Sequence, residues 1–243
     1  FHSVRTLAAP ALARHGLPAT VYVTTYYVDK GTPIFRLVLQ YMFWKTRRRE
    51  LRLSNVAWSP DAVIDLTDAD ARERALWACI DHCEAHCSED ERVAVCEQLG
   101  AGLDVPYQDI VAQRLLHLMT GEQLRELDAL GIDVQLHTHR HLFPSDDEAR
   151  ARRELEDNRA ALSALLGREG FVHFCYPSGL WDERQWAWLD AAGVRSATTC
   201  LGGLNTRATP RHALARILDG ENLHPLEFEA ALCGFSDLLR RLV

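Results

Sequence analysis

The chain has 243 residues, enough for one large domain or two small ones at about 100–200 residues each. Its 27 Lys and Arg against 34 Asp and Glu give a formal charge of -7, so it lacks the basic field on which phosphate contacts depend, and no nucleic-acid partner is expected. Its seven cysteines are an odd number with no paired framework, which points to free thiols in a reducing, cytoplasmic compartment.

No stretch reaches the ~20 uninterrupted apolar residues of a membrane span. The most apolar run, Pro33 to Trp44, is broken by Arg36 and Gln40. The basic run Lys45-Thr46-Arg47-Arg48-Arg49 reads as a solvated helix face. The chain opens at Phe1 rather than Met, which leaves open a targeting segment upstream.

Residues 3 to 14 carry Val4, Leu7, Ala8, Ala11 and Leu12 at helical spacing, and Gly16 acts as a stop. The β-branched and aromatic stretch from Leu17 to Thr25 then predicts a buried strand. A helix followed at once by a strand is half of a parallel βαβ unit, so a first strand is expected upstream of Phe1. From 30 to 119 the pattern turns helical and predicts an all-helical insertion, with 1–29 and 120–243 forming the other domain. Within the insertion Cys79, Cys83 and Cys87 recur every four residues, with His82 and His86 one position earlier, so each set forms its own helical stripe. A metal or redox site there is conceivable. The cysteines continue the apolar stripe of Leu76 and Ile80, and small core residues are the favoured reading.

At Thr120 a capping box with Gln123 opens a helix whose face is Leu124, Leu127 and Leu130, with Gly131 as the stop. Strand Ile132 to Leu136 follows and delivers His137 at its carboxyl end, on the face opposite Ile132, Val134 and Leu136. The next helix is predicted to begin at a Ser145–Glu148 capping box and to stop at Gly167. It leads into strand Phe171 to Tyr176 and the rigid turn Tyr176-Pro177-Ser178-Gly179. A helix from Asp182 to Ala192, a strand from Val194 to Thr199 and closing helices from Pro225 to Leu242, broken at Gly234, complete the chain. Helix then strand recurs four times, which predicts a wound parallel sheet or barrel. Such folds place their chemistry at the strands' carboxyl ends.

At one such end stands His137-Thr138-His139-Arg140-His141. Imidazole is the commonest protein ligand for a divalent ion, and a turn can bring two histidines four residues apart onto one metal. His137 and His141 are therefore the expected metal ligands, and the side chain of His139 alternates away from them.

The sequence resembles the polysaccharide deacetylases with a NodB-homology domain, grouped as carbohydrate esterase family four. His137-Thr138-His139-Arg140-His141 is similar to that family's H-[S/T]-x-x-H metal motif. Leu17-Pro18-Ala19-Thr20-Val21-Tyr22-Val23 resembles its second strand, Phe174-Cys175-Tyr176-Pro177-Ser178-Gly179 its third motif, and Leu214-Ala215-Arg216-Ile217 its late Leu-Pro-Arg-Ile step. The resemblance implies a distorted (β/α) barrel lacking its first strand here. It also implies hydrolysis of acetamido groups on an N-acetylated sugar or polysaccharide, of the bacterial surface-polysaccharide kind. The implied cofactor is a divalent metal, zinc first and Co, Ni, Mn or Fe as alternatives, held by His137 and His141. Tyr176 would offer its backbone N–H to the oxyanion, Arg216 the guanidinium that many relatives carry where this chain has Cys175, and His224 the late catalytic imidazole. Pro177, Ser178 and Trp181 are the expected substrate contacts.

The family's Asp-Asp motif, the source of both carboxylates, would fall just before Phe1. The 243 residues alone are therefore expected to bind a metal weakly and to hydrolyse little. Two other readings remain: a hydrolase of another non-peptide C–N bond on the same site, and a non-catalytic carbohydrate-binding or assembly module.

Overall fold

A computed structural model describes residues 1–53, 56–59, 63–220 and 222–242. A π-helical turn, Val4–Ala8, runs into helix α1 (Ala9–Arg14), and Gly16 takes the left-handed conformation that ends it, with φ 60°. Strand β1 (Thr20–Val23) follows, and the chain then coils into α2 (Thr25–Lys30). The predicted strand is thus cut short at its end. Thr24 and Thr25 are buried and hydrogen-bonded to the strand-end loop, so they leave the ladder.

The segment from 30 to 118, together with residues 1–2, is one compact unit. It contains α3 (Phe35–Lys45), β2 (Glu50–Arg52), β3 (Val63–Asp65), α4 (Ala69–His86), α5 (Glu89–Leu103) and α6 (Tyr107–Ala112). Strands β2 and β3 pair antiparallel, which corrects the all-helical expectation. Leu51 and Ile64 are buried between exposed neighbours, a period-two pattern that three-residue strands make too brief to stand out in sequence. Its core is built on Phe35, Leu39, Met42, Phe43, Ile80 and Leu103, with Cys79, Cys83 and Cys96 buried as small packing residues.

The second unit comprises residues 3–29 and 119–243. After β1 and α2 it continues with α7 (Gly121–Ala129), β4 (Asp133–Leu136), α8 (Glu148–Leu166), β5 (His173–Cys175), α9 (Arg184–Ala191), β6 (Ser196–Gly202), β7 (Leu214–Arg216), α10 (Pro225–Leu232) and α11 (Phe235–Leu242). The Thr120–Gln123 capping box opens α7 as predicted, and Gly234 separates the last two helices. Leu130 lies outside the buried face that Leu124 and Leu127 form. The N-cap of helix α8 lies two residues beyond Ser145, at Asp147, which accepts the Arg150 N–H at 2.9 Å. A carboxylate at a helix N-terminus gains from the dipole as well as from the hydrogen bond.

The sheet is parallel throughout, in the order β1-β4-β5-β6-β7. The described strands form an open sheet, and closure into a barrel is not seen among them. Apolar residues of α7 and α8, including Leu124, Leu127, Leu155 and Leu162, form one buried cluster with Val134, Leu136 and Phe174 of its strands and with Phe171. No described helix is long and apolar enough to cross a membrane.

Each unit has its own buried cluster. Replacing residues 31–118 by a short flexible linker is therefore expected to leave the sheet unit folded, with native near-ultraviolet circular dichroism and cooperative melting. Loss of both signals would show that the helices of the insertion belong to the sheet unit's core.

Candidate functional site

Because every strand pair is parallel, Val23, Leu136 and Cys175 end at one edge of the sheet. His137 follows β4 directly. Its backbone N–H donates to Asn158 Oδ1 at 2.9 Å, and its carbonyl accepts from Thr24 Oγ1 at 3.0 Å. Asn158, on α8, donates in turn to the Val23 carbonyl at 2.9 Å and to Thr25 Oγ1 at 3.0 Å. One buried amide thus ties the ends of β1 and β4 to the helix that covers them.

Beyond His137 the loop curls back. Thr138 and His141 both adopt left-handed φ, 62° and 60°, a conformation that costs non-glycine residues of order 1–3 kcal/mol unless the surroundings impose it. The surroundings do so here. Thr138 is fully buried and its Oγ1 accepts the Leu142 N–H at 3.1 Å. The buried Glu154 accepts the Arg140 N–H at 2.6 Å and the Arg140 guanidinium at 2.9 Å, while its own carbonyl takes the His139 N–H at 3.1 Å. The curl brings the His137 and His141 rings to 4.9 Å between centroids, edge to face at 76°. His139 faces elsewhere: its Nδ1 meets Thr25 Oγ1 at 2.8 Å and its ring lies edge-on to Tyr26 at 5.8 Å.

The protonation state of His137 follows from its partner. Its Nδ1 lies 2.7 Å from the Cys175 carbonyl, which can only accept, so the proton sits on Nδ1 and the lone pair on Nε2. Burial, reinforced by the neighbouring His141, pushes the pKa of His137 down to about 4, so the ring is neutral at physiological pH as a metal ligand must be. Two imidazoles bound to one ion at about 2.0–2.1 Å place their centroids roughly 4.5–5 Å apart, and the pair satisfies that test. Among the described residues no group of three or more His, Cys, Asp or Glu side chains is gathered to hold a metal.

The strand-end turn after β5 is rigid. Gly179 has φ 69°, and a Cβ on it would come within 2.6 Å of the Cys200 side chain, so β6 and the turn approach as closely as glycine permits. The Tyr176 N–H donates to the Thr198 carbonyl at 3.2 Å, which corrects the oxyanion expectation: that donor extends the β5–β6 ladder. The side chain of Tyr176 is buried against Phe174 and Phe143, and its hydroxyl donates to the His212 carbonyl at 2.9 Å. Pro177 is buried in the turn, which removes it from the expected substrate contacts, whereas Ser178 is exposed and Trp181 is half-buried and stacked on Trp186 at 5.7 Å. Arg216 ends β7, donates from Nε to the Thr199 carbonyl at 2.9 Å, and is near enough for its charge to help lower the pKa of His137. His224 is corrected as a catalytic candidate. It caps α10, its Nδ1 accepting the Leu226 N–H at 3.2 Å and its own N–H going to Glu227 at 3.1 Å, an arrangement that commits it to the helix start.

Residues 106–197, which include the histidine loop and the turn after β5, match the family model described as polysaccharide deacetylase. The chain is similar to the polysaccharide deacetylases. The resemblance read from the motifs is thus borne out. A search of curated protein sequences finds no match. Among solved structures, a de-N-acetylase from Aggregatibacter actinomycetemcomitans shares the fold at a TM-score of 0.51 with 9% identity, over 93% of this chain and 70% of that one. The Streptococcus pyogenes deacetylase PplD, solved with acetate, aligns at a TM-score of 0.44 and 14% identity over 88% and 94% of the two chains. IcaB from Ammonifex degensii aligns at 0.39 and 22% identity over 46% of this chain, and the match spans only 51% of its length.

Sequence reading missed three residues that hold the site. Asn158 and Glu154 lie on the buried face of α8 with Ala151, Leu155 and Leu162, and an uncompensated polar residue on a leucine stripe is a legible signal. Gln135 is buried on β4, where its carbonyl oxygen accepts the Val172 and His173 N–H groups at 2.8 and 2.9 Å, joining β4 to β5 beyond the short ladder.

Proposed function

We propose that this chain is a divalent-metal-dependent hydrolase that removes N-acetyl groups from an N-acetylated sugar or polysaccharide. The observation that carries the reading is the His137–Cys175 hydrogen bond, which holds the proton on Nδ1 and leaves the lone pair on Nε2 of a ring that lies beside His141 at the carboxyl edge of the sheet. The family match over residues 106–197 supports the same chemistry. His137 and His141 would hold the ion, zinc before cobalt, nickel, manganese or iron. When bound, such an ion supplies Lewis-acid polarisation of an amide carbonyl and a more acidic water.

The protein's own residues then have definable tasks. His137 keeps its proton on Nδ1 and so stays a neutral donor. The Asn158 and Glu154 hydrogen bonds fix the loop that carries both rings, so the site is organised before ligand arrives. The Arg216 guanidinium, held by Thr199 at the neighbouring strand end, offers positive charge where negative charge develops on the acyl oxygen. The exposed Ser178 and the Trp181 ring stand on the turn after β5 as the sugar contacts.

The test is acetate release from N-acetylglucosamine oligomers with zinc or cobalt added, run beside the His137→Ala variant. The 243 residues alone are expected to release little acetate, and the chain extended by whatever its gene encodes upstream of Phe1 to release metal-dependent acetate that disappears in the variant. Equal acetate from the extended chain with and without the substitution would reject the assignment. Saccharide binding without any acetate release would instead favour the non-catalytic carbohydrate-binding module.

A further inference from the structure

A second pair of histidines lies in the other unit. His82 and His86 are one turn apart on α4, with ring centroids at 5.0 Å and an interplanar angle of 53°. Their separation nearly equals the 4.9 Å between His137 and His141, and falls in the range of roughly 4.5–5 Å set by two imidazoles sharing one ion at about 2.0–2.1 Å. The spacing is intrinsic to the helix. Residues four apart project from the same face, so no loop strain is needed to bring the rings together. His82 is half-buried and His86 exposed, which leaves the pair accessible to a dissolved ion.

The end of α4 that carries them is held firmly. Arg92 donates to the Cys83 carbonyl at 3.1 Å and to the Glu84 carbonyl at 3.0 Å, and its guanidinium is paired with Glu89 at 2.5 Å. The Ser88–Glu91 capping box starts α5 immediately afterwards. The last turn of α4, which would otherwise fray, is therefore ordered. The electrostatics also favour a cation. The pair occupies the carboxyl end of an 18-residue helix, where the dipole is negative; of the acids from Asp81 to Glu91, Glu84 is paired with Arg36 and Glu89 with Arg92.

From this geometry we infer that His82 and His86 form a surface chelate for a first-row divalent ion of imidazole preference, Cu²⁺, Ni²⁺ or Zn²⁺, distinct from the His137–His141 pair. Cys79 and Cys83 take no part, since both are buried on the core stripe. Two protein ligands leave the remaining coordination positions to water or to a group from outside. Affinity follows the order of the divalent series, copper tightest.

The test uses the untagged chain and Ni²⁺ in equilibrium dialysis, with four proteins: unmutated, His82→Gln/His86→Gln, His137→Gln/His141→Gln, and all four substitutions together. The inference expects the His137/His141 variant to keep one bound ion that the added His82 and His86 substitutions remove, and His82→Gln alone to weaken that ion at least tenfold. Identical Ni²⁺ binding with and without His82 and His86 would overturn it. Loss confined to the His137/His141 variant would overturn it too, while leaving the proposed deacetylase site standing. A measurement without substitutions guards against misfolding: substoichiometric Cu²⁺ should broaden the amide resonances of residues 80–90 selectively, and their survival would equally overturn the inference.

Discussion

Replacing His137 or His141 with alanine is expected to abolish divalent-metal binding at the sheet edge, while His139→Ala leaves it close to its starting value. The argument rests on what each ring touches. The His137 and His141 rings lie 4.9 Å apart between centroids and His137 has its Nδ1 proton engaged by Cys175, which leaves its lone pair on Nε2. Removing a partner that merely orients a ligand typically costs about 10–100-fold in metal affinity, and removing one of two imidazoles should exceed that. The ring of His139 packs on Thr25 and Tyr26, and its truncation breaks one hydrogen bond worth about 0.5–1.5 kcal/mol. Zinc retained after dialysis, measured in the His82→Gln/His86→Gln background so that only this pair is counted, separates the cases. Equal loss in all three variants would refute the ligand assignment.

The largest stability effect is expected at Asn158. Its side chain is fully buried and makes three hydrogen bonds, one from the His137 N–H and two to Val23 and Thr25. Leucine has a similar volume but leaves the His137 N–H and the Val23 carbonyl buried without this partner, at about 1–3 kcal/mol each. Asn158→Leu should therefore destabilise the sheet unit by roughly 2–5 kcal/mol, a large part of the 5–15 kcal/mol typical of a folded protein. Chemical denaturation gives the number. The substitution should also weaken metal binding by about 10–100-fold, because His137 loses the amide that fixes its backbone. A change in stability below ~0.5 kcal/mol would mean that the three hydrogen bonds are not made in solution. Glu154→Gln should act more gently, since the amide still accepts one of the two Arg140 contacts.

The sequence by itself determined the alternation of helix and strand from α7 to β6 and the place of the histidine loop at a strand's carboxyl end. Those features are local. Capping boxes such as Thr120–Gln123, stops such as Gly131 and Gly167, and the strand-then-histidine order are written within a few residues of one another. The pairing of His137 with His141 was legible for the same reason, since a four-residue separation needs only one turn. What only the tertiary structure decided depends on partners far along the chain. Asn158 reaches Val23 across 135 residues, and no local pattern announces such a bond. The fate of the Tyr176 N–H was settled by Thr198 on the neighbouring strand, and the role of His224 by the helix it caps. The β2–β3 hairpin escaped notice because three-residue strands carry too little alternation to be read, and it is held by the burial of Leu51 and Ile64 in a core assembled from four helices. A hydrogen-bonding group finds its partner through the fold, so a polar residue on an apolar stripe reveals that a partner exists but not which one.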